Sequence, residues 1–179
     1  MTAALEISNL QTWYGESHIL HNVNLTVQPG EVVTLLGRIG AGRTTTLRAI
    51  MGLTGARKGS IKINGVEAIG FPTHKIAHLG VGYCPEERGI FASLSTEENL
   101  LLLDEISEGL APVIVQGLAR MITTLKSKGY TIVMVEQNFR FAAPLADRFY
   151  VMEHGQIVET FVSSELSDKM PVLTELLGV

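Results

Sequence analysis

Gly37-Arg38-Ile39-Gly40-Ala41-Gly42-Arg43-Thr44-Thr45 constrains this chain more than any other stretch. It has the spacing of a phosphate-binding loop, G-x-x-x-x-G-K-[ST], with arginine where lysine is expected. In such a loop successive backbone N–H groups curl around phosphate oxygens, and the glycines permit the close approach. The helix that follows points its partly positive N-terminus at the same phosphates. The flanks fit. Glu31 to Leu36 reads as a buried strand, and Thr45 to Met51 reads as a helix closed by Gly52. Strand, glycine-rich loop and helix in that order make the motif credible. Thr44, one residue past the basic position, offers a hydroxyl to a magnesium ion.

Bulk properties narrow the class. A chain of 179 residues can bury a core as one domain. It is 46% hydrophobic and 18% charged, as a globular protein should be, and its net charge of −4 argues against nucleic acid as a partner. No apolar run approaches the roughly 20 residues that span a bilayer. The start, Met1 to Glu6, lacks the basic and apolar stretches of a signal peptide. The expectation is a cytoplasmic protein without direct membrane insertion. The single cysteine, Cys84, reads as a small core residue.

The rest of the chain alternates strands and helices, which predicts a mainly parallel sheet with flanking helices. An antiparallel β lobe comes first, from Leu5 to Ile7 and Val23 to Val27. A hairpin with Asn64-Gly65 at its turn follows the loop helix. Pro72 to Leu79 predicts a short helix, Val81 to Cys84 a strand, and Thr96 to Leu100 the opening of a helix. Pro112 to Lys126 predicts a helix with apolar residues at Val113, Leu118, Ile122 and Leu125, and Tyr130 to Val135 a strand. Leu145 to Met152 and Gln156 to Val162 predict two strands about His154-Gly155, and Ser164 to Leu177 a helical tail broken at Pro171.

Leu100-Leu101-Leu102-Leu103-Asp104-Glu105 is the second strong signal. A strand of pure leucine is buried on both faces, so its C-terminal end emerges at the ligand edge of a parallel sheet. An aspartate there can bind magnesium, and a glutamate one residue later can polarise an attacking water.

These motifs, with Ser107 to Pro112 and Val135-Glu136-Gln137-Asn138 in the same order, make the chain similar to the ATP-binding subunit of ABC transporters. Tyr83-Cys84-Pro85-Glu86-Glu87-Arg88 resembles the Tyr-x-Pro-Glu-x-Arg of the branched-chain amino acid importer type. The resemblance implies a P-loop NTPase core plus the antiparallel lobe, binding ATP and Mg2+. It implies that Tyr14 stacks on adenine, with Trp13 as competitor, and that Gly37, Arg38, Ile39, Gly40, Ala41, Gly42, Arg43, Thr44 and Thr45 hold the phosphates. Thr44, Glu86 and Asp104 would serve magnesium. Glu105 would be the general base, with Glu86 at the usual Q-loop glutamine and Gln137 at the usual switch histidine. The partners implied are transmembrane permease subunits and a second ATP-binding subunit, at the inner face of the cell membrane. A P-loop kinase or GTPase would not carry the Val135 to Asn138 and Ser107 to Pro112 segments.

The chain departs from that family pattern in three places. Arg43 replaces a compact ammonium with a wider, planar, always charged guanidinium. Ile39 stands where asparagine is usual. Most importantly, the helical subdomain with its Leu-Ser-Gly-Gly signature has no counterpart in the sequence. The chain thus reads as one domain over 1–179, shortened near 99–101. Residues 86 to 99, fourteen in all, must close a parallel crossover that needs about a dozen. The departures leave open a second reading, a shortened nucleotide-binding module without turnover.

Overall fold

A computed structural model describes residues 1–87 and 99–179. The chain opens with β1 (Leu5–Tyr14) and β2 (Ser17–Val27), both longer than their patterns predict. β3 (Val32–Gly37) runs into the glycine loop and α1 (Arg43–Ile50). β4 (Arg57–Ile63) and β5 (Val66–Glu67) form the hairpin about Asn64-Gly65, where both turn residues have positive φ, 49° and 82°. After α2 (Thr73–Ala77) come β6 (Val81–Cys84) and β7 (Leu100–Asp104). Then follow α3 (Pro112–Ser127), β8 (Thr131–Val135), α4 (Phe139–Ala142), β9 (Arg148–Glu153), β10 (Gln156–Val162) and α5 (Leu166–Leu177).

The strands form two sheets. β2-β1-β4-β5 is antiparallel, the predicted lobe. The second sheet has the order β10-β9-β3-β8-β7-β6, parallel throughout except for β10 at one edge. The largest core cluster lies between this sheet and the lobe, with Leu47 and Ile50 of α1 inside it. A second cluster fills the opposite face under α3 and α4, and a third lies under α5. Leu100 to Leu103 are all buried, their side chains divided between the first two clusters. Both faces of β7 are covered, so these leucines present no exposed apolar patch.

Three local details sharpen the expectations. α5 runs unbroken through Pro171; the irregularity comes earlier, as a 3-10 turn at Ser163–Glu165. An interior proline costs about 3 kcal/mol, and here burial of Leu173 with Met170, Leu176 and Leu177 against the sheet opposes that cost. Of the apolar residues of α3, Val113 is exposed, whereas Leu118, Ile122 and Leu125 pack in the second cluster. Leu100 opens the expected leucine strand; residues 96–98 of the expected helix opening, and Arg88, lie outside the described residues. Among the described residues no helical layer stands between β6 and β7.

Candidate functional site

Parallel pairing sets the site. The register Asp104↔Val135 and the pairing of β3 with β8 bring the C-terminal ends of three adjacent strands to one edge. From that edge emerge the glycine loop, Asp104-Glu105 and Glu136-Gln137; Glu86 follows β6 alongside. Ligands of open parallel sheets bind at such edges. A pocket of about 430 Å³ there is lined by Ile39 to Thr45 with Glu86, Glu105, Glu108 and Gln137.

The loop is held by its own backbone. Ala41 N–H donates to Arg38 O, and Gly155 N–H donates to Ala41 O. Gly42 has φ 104°, and a Cβ there would lie 2.8 Å from Leu20 Cδ2 and 3.3 Å from Gly155 Cα. Only glycine fits both the backbone and the space. The first-turn amides of α1 face the pocket without partners of their own inside the helix. Arg38 points away from the pocket. Its Nε and Nη2 donate to Leu176 O and Glu175 O at 2.9 and 3.0 Å, capping the last turn of α5. Ile39 is 82% exposed at the loop tip.

Thr44 Oγ1 donates to Asp104 Oδ1 at 3.0 Å. Asp104 is 1% exposed, and its Oδ2 has no partner. Burial, first, and Glu86 push its carboxyl above the usual range, against Thr44, Arg48 and Arg43. A buried, unpaired carboxylate oxygen beside a threonine hydroxyl suits a divalent cation. Among the described residues no cluster of three or more His, Cys, Asp or Glu could hold a metal alone. Magnesium needs no such cluster, since it takes one or two carboxylates and completes its shell with phosphates and water. The residues therefore fit Mg2+ bound with a nucleotide.

Arg43 does not lie along the loop. Its guanidinium turns into the protein, 7% exposed. Nη2 is 3.1 Å from Glu105 Oε1, and Nη1 donates to Glu136 O at 2.9 Å. Glu105 is equally buried, has φ 49°, and accepts from Gln137 N–H on its other oxygen at 2.9 Å. Burial raises its pKa, with Asp104 and Glu108 adding to the effect and Gln137 and Arg43 opposing it.

Glu136 was not singled out by sequence reasoning, and it organises the floor of the site. Its carboxylate accepts from Ser107 N–H and Oγ at 3.1 and 2.7 Å, fixing the turn after Glu105. Its position directly after the apolar strand was the available signal. Burial pushes its carboxyl up to about 7. A carboxyl raised in the folded state favours folding below its unfolded pKa and loses that contribution as pH rises through the folded one. Stability should thus fall from pH 5 to 8, with Glu136 contributing at most about 3 kcal/mol. Urea midpoints across that range should decline less steeply for Glu136→Gln; an unchanged slope would refute this assignment.

Tyr14, at the end of β1, is exposed. It is not among the residues lining the loop pocket. Trp13 is engaged elsewhere: His18 stacks on it at 4.3 Å, and Lys58 Nζ lies 5.5 Å from its ring centroid. Cys84 is half-buried, and burial with Asp104 raises its thiol pKa, the opposite of what a nucleophile needs.

A glycine loop between a buried strand and a helix, at the edge of a parallel sheet beside strand-end carboxylates, defines a P-loop ATPase fold. The chain belongs to the ABC transporter family, whose profile matches residues 20–167. It is similar to the high-affinity branched-chain amino acid transport ATP-binding protein BraG of Pseudomonas aeruginosa, 33% identical over 86% of this chain and 91% of that one. That alignment extends over 211 residues, more than the chain contains, so it opens gaps in this chain. The lipopolysaccharide export ATP-binding protein LptB of Haemophilus influenzae is 26% identical over 97% of each chain. In fold, the chain superposes on the ADP conformation of MJ1267, an ATP-binding cassette of an ABC transporter. The TM-score is 0.84 at 16% identity, covering 99% and 98% of the two chains. The chain is an ATP-binding subunit of an ABC transporter. No helix among the described residues is long and apolar enough to cross a membrane.

Proposed function

We propose that this subunit serves an importer of branched-chain amino acids and binds ATP with magnesium at the β3–β7–β8 edge. The substrate assignment rests on the likeness to BraG together with the Tyr83-to-Arg88 and Val135-to-Asn138 segments. The nucleotide site rests on one observation: the loop, Glu86, Glu105 and Gln137 line a single pocket. Gly37 to Gly42 and the amides of Arg43 to Thr45 cradle the phosphates; on the family resemblance alone Tyr14, outside the loop pocket, stacks on an adenine that extends beyond it. Thr44 and Asp104 hold the magnesium, with Glu86 nearby. When bound, the ion neutralises phosphate charge. Glu105 is positioned as base toward a water, and Gln137 orients the γ-phosphate end. The subunit sits on the cytoplasmic face, docked to permease subunits and paired with a second ATP-binding subunit. The chain is one domain shortened between β6 and β7.

A second reading is favoured by the Arg43–Glu105 pair and the missing signature: a nucleotide-binding module without turnover of its own. Calorimetry with Mg·ATP tests the shared part. Wild type binds, and Arg43→Lys binds about tenfold tighter, since an ammonium on a flexible stem can reach the phosphates without spanning both Glu105 and Glu136. Equal affinities would overturn this account of Arg43. Loss of labelled leucine uptake in a strain lacking the chain tests the substrate; unchanged uptake refutes it.

A further inference from the structure

We propose that Arg43 is a gate on Glu105: the guanidinium caps the carboxylate until a nucleotide phosphate draws it away, so the base is released only when phosphate is present. This rests on the nucleotide reading above. The geometry carries it. Arg43 and Glu105 are 3.1 Å apart and both almost wholly buried. Each is fixed by further contacts: Arg43 by Glu136 O, and Glu105 by Gln137 N–H and by its own N–H donating to Val135 O at 2.8 Å. Glu136 is in turn locked by Ser107. The cation thus has two acceptors built for it inside the protein, while its backbone sits in the phosphate loop.

The two engagements compete. A guanidinium lying on Glu105 Oε1 and Glu136 O has turned inward from the loop. A phosphate in the loop offers a stronger counter-charge and a bidentate surface. Taking Arg43 leaves Glu105 without its cation, still held by Gln137 N–H and lining the pocket, where a base is needed. A nucleotide therefore contributes binding energy to break the pair, and apparent affinity falls by that amount. Lysine, a compact point charge, cannot make both internal contacts, so the gate depends on arginine.

The test must separate a broken gate from simple loss of negative charge near phosphates. ADP affinity without magnesium is measured for wild type, Glu105→Gln, Glu105→Asp and Glu108→Gln. Glu108 lines the same pocket but has no bond to Arg43 in the structure. Glu105→Asp keeps the charge and shortens the reach. Glu105→Gln should tighten ADP at least about fivefold and Glu105→Asp at least about twofold, with Glu108→Gln, which removes a pocket charge without touching Arg43, giving less than half the gain of Glu105→Gln. The 15N resonances of the Arg43 guanidinium should shift on ADP saturation of wild type. Equal effects of Glu105→Gln and Glu108→Gln, no gain from Glu105→Asp in a protein with a native thermal transition, or an Arg43 signal unmoved by ADP would each overturn the gate. ADP binding to wild type alongside any of these leaves the nucleotide reading standing. No binding by any variant overturns both.

Discussion

Replacing Arg43 with alanine should cost about 3–5 kcal/mol of folding stability, the range for removing one partner of a buried ion pair. The substitution strands Glu105, 7% exposed, without its cation. It also strips Glu136 O of its donor. The magnitude comes from what is left behind, since a desolvated anion with no counter-charge is worse than either a pair or a neutral site. Glu105 has one escape, which is to take up a proton. Its pKa is already raised by burial, and losing Arg43 removes one of the two influences holding it down. The loss should therefore be larger at pH 8 than at pH 5.5. Making the site neutral, with Arg43→Ala and Glu105→Gln together, should recover most of it. Urea unfolding of wild type, Arg43→Ala, Glu105→Gln and the double mutant at both pH values gives the answer. An Arg43→Ala protein within 1 kcal/mol of wild type at pH 8 would mean the pair is not formed in solution.

That pair marks the limit of what the sequence discloses. The loop, the leucine strand and the Asn64-Gly65 hairpin are legible because each is written in consecutive residues whose backbone needs are local. The parallel sheet follows from alternation, and the gathering of Asp104, Glu105 and Gln137 with the loop follows from where its strands end. Arg43 is different. Its substitution for lysine is visible, but its direction is decided by Glu136, 93 positions away, and by a glutamate with positive φ. No local pattern encodes that. Glu136 was overlooked for the same reason, since its partner Ser107 lies across the sheet edge. Pro171 misled in the opposite sense. A strong local rule was outweighed by the apolar contacts of α5, which only the folded chain reveals.

Purified alone, the protein should hydrolyse ATP no faster than about 10⁻² s⁻¹, roughly a thousandfold below the middle of the usual enzymatic range. Phosphoryl transfer places its developing charge on oxygens that need donors on more than one side. The pocket is lined by the loop, Thr44 and Gln137, all from one subunit. In the proposed family arrangement the opposite side comes from the Leu-Ser-Gly-Gly signature of a second subunit, and two copies of this chain contain none. Loss of a single preorganised donor costs about 10²–10³ in rate, and loss of a trans cation about 10³–10⁵. Neither Arg43 nor any rearrangement of Glu105 replaces groups that approach from outside the subunit. Mixing with a signature-bearing subunit should therefore raise the rate where mixing with more of the same chain does not. The measurement is steady-state phosphate release by wild type, with Asp104→Asn as the background. A rate near 1 s⁻¹ from homogeneous protein, abolished by Asp104→Asn, would mean that the chain completes its own site.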